Sequence, residues 1–430
     1  MVKQLPLYFN EQLLQYIWQF QYFNKSELRT TCNQQVNVQV AGVWNQHQGP
    51  DFSNAQILIG ETLLVGSVEL HMRTSDWIRH NHAGDPIYNT VVLHVVWHHD
   101  KTINNIPVLA LEGRVPAHLL QLYQQLMLQS NFIPCENIFQ LPSDLQWAGW
   151  RERLLLERML HRQEDILQQL KFNHNNWEDL CWIMIARHFG MRLNADAFEA
   201  VARSLPLEKW MRLRHDTFTI EALLMGQAGM LSPSFTDHYP RSLQTTYRAL
   251  QKKLNVQPIT IPIVYLRMRP VNFAGIRFSQ LAQLLHTQGS LFDIFKSSTD
   301  LKDVKQYLHL SASEYWNNHY RFDETSKLLP KQTGEMLINN IILNTAIPLL
   351  FTYAIYHKDQ NLLHKVFTWL ELLKPENNQV IHEYQRIGFP VTSAADSQAL
   401  LEMKKEYCEK FRCLNCGIGN NLLRRQPAKS

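Results

Sequence analysis

The feature that most restricts what this chain can fold into is a change of hydrophobic period near residue 130. Before it, apolar residues mostly alternate with polar ones; after it, they recur at three- and four-residue spacings. Val36, Val38 and Val40 alternate as in a half-buried strand. Residues 51–60 (DFSNAQILIG) repeat the alternation, and residues 62–72 (TLLVGSVELHM) follow a turn at Gly60-Glu61, which predicts an antiparallel hairpin. Residues 91–97 (VVLHVVW) form a nearly continuous apolar run that suits a central strand covered on both faces, and residues 106–111 add another strand. A helix capped by Asn10 precedes the strands at residues 11–23, and a short one capped by Ser75 fits residues 75–82.

From about residue 142 the pattern is helical, with segments at 147–170, 177–189, 194–204, 219–228, 243–254, 276–286, 334–356 and 394–411. The expected architecture is an α/β N-terminal domain with a mixed sheet (1–130), a large all-α region (131–405) and a cysteine-containing C-terminal segment (406–430) with a polar tail after Leu423. Hydrophobic residues at 45 % and charged residues at 19 % exclude a disordered chain. A net charge of +4 lacks the strongly basic signature of a general nucleic-acid binder, and the excess lies after residue 130, where a polyanion would lean. The start shows no signal-peptide pattern, and no apolar run reaches the ~18–20 residues that span a bilayer. The expectation is a cytoplasmic protein without a membrane partner, its oligomeric state left open.

Three features at the N-terminal sheet coincide. Asp51 follows Gly49-Pro50 at the start of one strand, and Glu69 and His71 lie on its hairpin partner. Residues two apart in a strand face the same side, so Glu69 and His71 share a face. Carboxylates from two neighbouring strands with a polar group beside them can hold Mg²⁺ or Mn²⁺, and such an ion can activate water against a phosphodiester. Asp51 or Glu69 can equally be turn chemistry or a solvated strand face. Histidines crowd the same stretch: His71, His80, His82, His94, His98 and His99. A mixed histidine and carboxylate site favours Mn²⁺, Fe²⁺ or Zn²⁺ over Mg²⁺. Asp76 and His82 are secondary site candidates because their connection leaves the strand that bears Glu69 and His71, whereas His94, in an apolar strand, reads as a core histidine.

Cys408, Cys413 and Cys416 form C-x4-C-x2-C, three ligands of a tetrahedron; Cys135 or His382 supplies a fourth for Zn²⁺ or an iron–sulfur cluster. The other reading is buried free thiols. Cys32 and Cys181 are not expected to be ligands. In the helical part, Arg267, Arg269 and Arg277 around Pro270 and Gly275 are candidates for phosphate binding, or for an arginine lattice that joins helices.

The order helix, three strands, helix, strand over residues 10–115, with Gly49-Pro50-Asp51 and then Glu69-Leu70-His71, resembles the restriction-endonuclease-like, or PD-(D/E)XK, nuclease superfamily. The resemblance implies an acid on one strand and an acid-x-Lys on the next; His71 stands where the lysine is expected and supplies no fixed positive charge. It also implies polar groups from the preceding helix, for which Glu11 and Gln15 are candidates. Several nucleases of that superfamily hold an iron–sulfur cluster with one early and three late cysteines, similar in outline to Cys135 and the late trio, though the late spacing differs. Gly66-Ser67-Val68-Glu69-Leu70-His71, Ser75-Asp76-Trp77, His80-Asn81-His82, residues 267–273 (RMRPVNF) and 413–419 (CLNCGIG) together resemble an uncharacterised bacterial family, a domain of unknown function. The expected function is a metal-dependent nuclease using Asp51, Glu69 and His71. The alternatives are a non-catalytic scaffold that binds nucleic acid or a protein, and a histidine/carboxylate metal hydrolase using His80 or His82 on a small substrate.

Overall fold

The computed structural model describes residues 9–45, 48–128, 131–287 and 289–424. Residues 1–8 at the chain start and the polar tail from residue 425 lie outside the described residues. Two compact units emerge. The first comprises residues 1–150, 386–388 and 401–430, and the second comprises 151–385 and 389–400. The C-terminal cysteine segment therefore belongs to the first unit and does not stand alone.

The first unit opens with α1 (Glu11–Gln19), whose N-cap Asn10 accepts the Leu13 N–H at 3.0 Å. Its buried stripe of Leu13, Leu14, Tyr16, Ile17 and Trp18 packs on the sheet, each large side chain contributing about 1.5–3 kcal/mol by leaving water. Strands β1 (Val36–Val40), β2 (Val43–Trp44), β3 (Phe52–Ile59), β4 (Thr62–Arg73), β5 (Val91–His98) and β6 (Val108–Ala110) form a mixed sheet in the order β1-β3-β4-β5-β6, with β2 also on β3. The hairpin β3–β4 turns at Gly60, whose φ of 60° a glycine adopts without strain. β5 then runs parallel to β4 and β6, and its apolar run is buried as a central strand requires.

The return from β4 to β5 is short. It holds α2 (Asp76–Arg79) and two single 3₁₀ turns, His82–Gly84 and Pro86–Thr90. Gly66 sits where β4 and β5 first meet; a Cβ there would overlap the Thr90 carbonyl and the Val92 side chain. That close approach fixes the register in which Glu69 stands opposite His94 and His71 opposite Val96. α3 (Ala117–Leu128) follows, and the C-terminal helix Gly417–Arg424 packs on it. The two ends of the chain meet in this unit: the Tyr16 hydroxyl reaches the Asn420 carbonyl at 3.5 Å, and Arg424 lies 4.3 Å over the Phe20 ring.

The second unit is helical, as the period predicts, around one large apolar core that includes Trp182, Trp210, Phe278, Phe295 and Trp369. Helices Trp177–Phe189, Thr217–Gln227 and Ala274–Thr287 start and stop within a few residues of the sequence reading. The run Glu335–His357 is long and apolar enough to cross a bilayer, in contrast to the sequence reading; it is mostly buried inside the unit, as a core helix is. A π-helical bulge, Ile342–Ala346, interrupts it.

Candidate metal centre

β4 delivers Glu69 and His71 to one face of the sheet, both almost fully buried at 6 % and 2 % exposure. The crossover then brings His80 and His82 back over that face. His71 Nε2 lies 3.6 Å from Glu69 Oε1, and His82 Nε2 lies 3.5 Å from the same oxygen. His80 Nδ1 lies 3.1 Å from His71 Nε2. The ligand atoms of His71, His80 and His82 all fall within 4.8 Å of one another. Among the described residues, His82 Nε2 has no hydrogen-bond partner although it is buried.

A second layer holds these groups. His94 Nε2 meets His71 Nδ1 at 2.9 Å, which orients the imidazole and turns Nε2 toward the cluster. Tyr88 stacks on His82 with ring centroids 3.8 Å apart, and Trp77 closes edge-on at 5.3 Å. Asp51 lies at the start of β3, beside a bulge at Asn54, whose φ is 57°. Its Oδ1 accepts from Gln15 Nε2 at 2.7 Å, its Oδ2 from the Leu70 N–H at 2.9 Å, and its own N–H donates to Glu69 Oε2 at 3.1 Å. Asp51 thus braces Glu69, with Gln15 reaching in from α1 as the sequence reading anticipates.

Burial shifts the groups of the cluster toward their neutral forms. Burial pushes the Glu69 carboxyl well above the ordinary range, and the neighbouring Asp51 carboxyl pushes it further. Burial likewise raises Asp51. Burial, reinforced by His94, His80 and His82, holds His71 far below the usual imidazole value, so the ring is neutral at neutral pH, one nitrogen bearing the proton and the other a lone pair. His94 and His82 are lowered by the same desolvation. Glu69 Oε1 and the Nε2 atoms of His71 and His82 converge, and His82 Nε2 lacks a hydrogen bond; a buried polar atom left unpaired costs about 1–3 kcal/mol. A divalent cation would satisfy all of them, and neutral imidazole with a carboxylate is the donor set of Mn²⁺, Fe²⁺ or Zn²⁺.

The remaining predicted residues fall in different places. Asp76 is buried but committed to the turn, accepting the Arg73 N–H at 3.0 Å and pairing with Arg79 at 2.9 Å. His98 pairs with Glu112 at 2.5 Å and His99 meets Thr74 at 2.9 Å, both away from the cluster. In the second unit Arg267 and Arg269 are exposed, whereas Arg277 is 5 % exposed and bonds Asn272 and Gln280. Arg277 is turned inward, so the three arginines do not present one phosphate-facing patch. His94 is fully buried, as the reading of a core histidine expects, and it also meets His71; Tyr88 is the group that the sequence reading passed over. A polar residue opposite Glu69 in an otherwise apolar strand was the signal for His94.

Fold and cluster together define a two-unit protein, α/β then helical, with a histidine–carboxylate centre in the crossover of its sheet. The chain belongs to the family described as protein of unknown function (DUF2851), which it matches over residues 11–379. That span includes α1, the sheet and the whole histidine cluster. Comparison with curated proteins and with solved structures gave no match.

Proposed function

We propose that this chain is a metal-dependent hydrolase of phosphodiester bonds in nucleic acid, its ion held by Glu69, His71, His80 and His82. The observation that carries the reading is the convergence of Glu69 Oε1 with His71 Nε2 and His82 Nε2 at 3.6 and 3.5 Å, the latter nitrogen lacking a hydrogen bond. When bound, such an ion supplies Lewis acidity and lowers the pKa of an attached water. His94 orients His71, Asp51 holds Glu69 through its backbone N–H, and Trp77 and Tyr88 wall the cluster with aromatic surface. His80, the exposed member, marks the side from which substrate enters.

The phosphodiester as substrate rests on the resemblance to the restriction-endonuclease-like superfamily in motif and strand order. It departs from that pattern in three respects: histidines take the place of the lysine, Asp51 braces Glu69 and does not hold the ion, and four strands instead of three precede α2; the donor set moves from hard Mg²⁺ toward softer ions. The test is to incubate the full chain with single- and double-stranded DNA and RNA under Mn²⁺, Zn²⁺, Fe²⁺ and Mg²⁺, beside His82→Ala and Glu69→Gln. Cleavage that needs Mn²⁺, Zn²⁺ or Fe²⁺ and is lost in both variants supports the proposal. Cleavage of a small phosphodiester alone transfers it to a small substrate, and metal binding with no hydrolysis removes the catalytic reading.

A further inference from the structure

Within the second unit, three helices and a π-helical turn border a cavity of about 460 Å³. Pockets that hold small ligands commonly measure about 300–1,000 Å³. On the helix Asp144–Phe172, Arg162, Asp165 and Gln169 stand three and four residues apart, so they share the face that lines the cavity. Arg187 and His188 lie in the last turn of the helix Trp177–Phe189. Glu199 and Arg203, one turn apart, come from the helix Met191–Arg203. The lining thus gathers the guanidiniums of Arg162, Arg187 and Arg203 against the carboxylates of Asp165 and Glu199, a surplus of one positive charge. Ile183, Met184 and Pro348 give it an apolar side.

Two of the guanidiniums are held by one carboxylate. Glu199 Oε1 accepts from Arg203 Nε at 2.8 Å, and its Oε2 accepts from Arg187 Nη1 at 2.6 Å. Asp196 accepts from the same Arg187 nitrogen at 2.7 Å, and Gln169 accepts from Arg203 Nη2 at 3.3 Å. A guanidinium carries five N–H donors. Among the described residues, those bonds leave Nε and Nη2 of Arg187 and Nη1 of Arg203 unused. Both side chains are exposed to solvent. The π-helical turn Ile342–Ala346 supplies the remaining polar wall: Asn344 Oδ1 accepts from Arg162 Nη2 at 2.6 Å, and the Asn344 backbone bonds His188. Burial holds His188 down to about 4, so its ring is neutral and the positive charge is left to the arginines. Single π-helical turns are rare and recur at functional sites. An arginine fork already fixed by a carboxylate can offer two parallel N–H bonds to a phosphate or a second carboxylate.

We propose that this cavity binds a small organic anion, whose phosphate or carboxylate group takes the remaining N–H donors of Arg187 and Arg203 and whose organic part lies against Ile183, Met184 and Pro348. Glu199 bridges the two forks and fixes their spacing. The site uses no residue of the histidine cluster, so the two stand or fall separately. Its chemistry is shared by phosphate esters and carboxylates, and the experiment separates them.

The full chain is titrated calorimetrically with inorganic phosphate, AMP and citrate, beside Arg187→Gln, Arg203→Gln and His82→Ala. EDTA is present throughout, so that no divalent ion takes part. The expected result is saturable binding of at least one probe, weakened about 10-fold or more in both arginine variants and unchanged in His82→Ala. Preference for phosphate and AMP over citrate assigns a phosphate ligand, and the reverse preference assigns a carboxylate. Arg187→Lys keeps the charge without the fork and serves where a glutamine variant does not fold; it should weaken binding as well. Folded wild-type chain that binds none of the three probes overturns the proposal, and so does affinity in the arginine variants equal to that of wild type.

Discussion

His82 Nε2 and Glu69 Oε1 face one another at 3.5 Å without a hydrogen bond between them. Removing either should therefore reduce affinity for a divalent ion. Isothermal titration with Mn²⁺ or Zn²⁺ should show His82→Ala and Glu69→Gln weakened by about 100-fold or more, with the fold intact by circular dichroism. Unchanged affinity in both would remove these residues from the centre.

His94 reaches the cluster through a hydrogen bond to His71 at 2.9 Å. A residue that orients a ligand changes affinity less than the ligand does, typically by about 10–100-fold. His94→Ala is expected to fall in that range, between wild type and His71→Ala. An effect as large as that of His71→Ala would make His94 a ligand itself.

Asp51 separates bracing from ligation. Asp51→Asn keeps an oxygen for the Leu70 N–H and keeps the backbone donor to Glu69, whereas Asp51→Ala leaves the Leu70 N–H without its acceptor. The alanine variant should lose about 1–3 kcal/mol in denaturant unfolding, more than the asparagine variant. If Asp51→Asn instead abolishes metal binding without loss of stability, Asp51 is a direct ligand.

Much of this was legible beforehand, and the limits have physical causes. The hairpin follows from period-two alternation, and the pairing of Glu69 with His71 on one face follows from strand geometry alone. The parallel partnership of β4 with β5 does not, because it joins residues far apart in sequence and depends on the missing side chain of Gly66. His94 was therefore read as core filling. For Arg277 the sequence left two readings open, phosphate binding or a lattice that joins helices; its inward turn onto Asn272 and Gln280 depends on packing that spacing does not show.

Gly66 offers a test of that register. Gly66→Val should push β4 off β5 and destabilise the first unit by at least about 1–3 kcal/mol, with loss of divalent-ion binding at the histidines. Hydrogen exchange should report the loss in β4 and β5 and leave the helices of the second unit protected. Protection of β5 equal to that in wild type would contradict the role assigned to this glycine.

In the second unit Glu221 is buried among Ser279, Tyr239 and Ser313, all of which hydrogen-bond its carboxylate. Burial outweighs those bonds and raises its pKa in the folded chain above the unfolded value of about 4.3. The stability it contributes is full below that unfolded value and is lost as pH rises through the folded one. Melting temperatures of Glu221→Gln relative to wild type should therefore shift in favour of the variant between pH 4 and pH 8. A difference that stays constant over that window would show that Glu221 does not titrate differently on folding.

The meeting of Tyr16 with Asn420 and of Phe20 with Arg424 also sets a timetable. On the ribosome, the sheet that carries the histidines is made before the helical unit, yet its unit lacks the helix Gly417–Arg424 until that stretch emerges. The helical unit, encoded in between, is complete before that and can fold first. Pairings so distant in sequence form slowly. A nonsense mutation in the codons for Gly417–Arg424 therefore strikes a sheet made long before it, and a chaperone guarding the nascent chain has that sheet to shelter for longer than the helical unit.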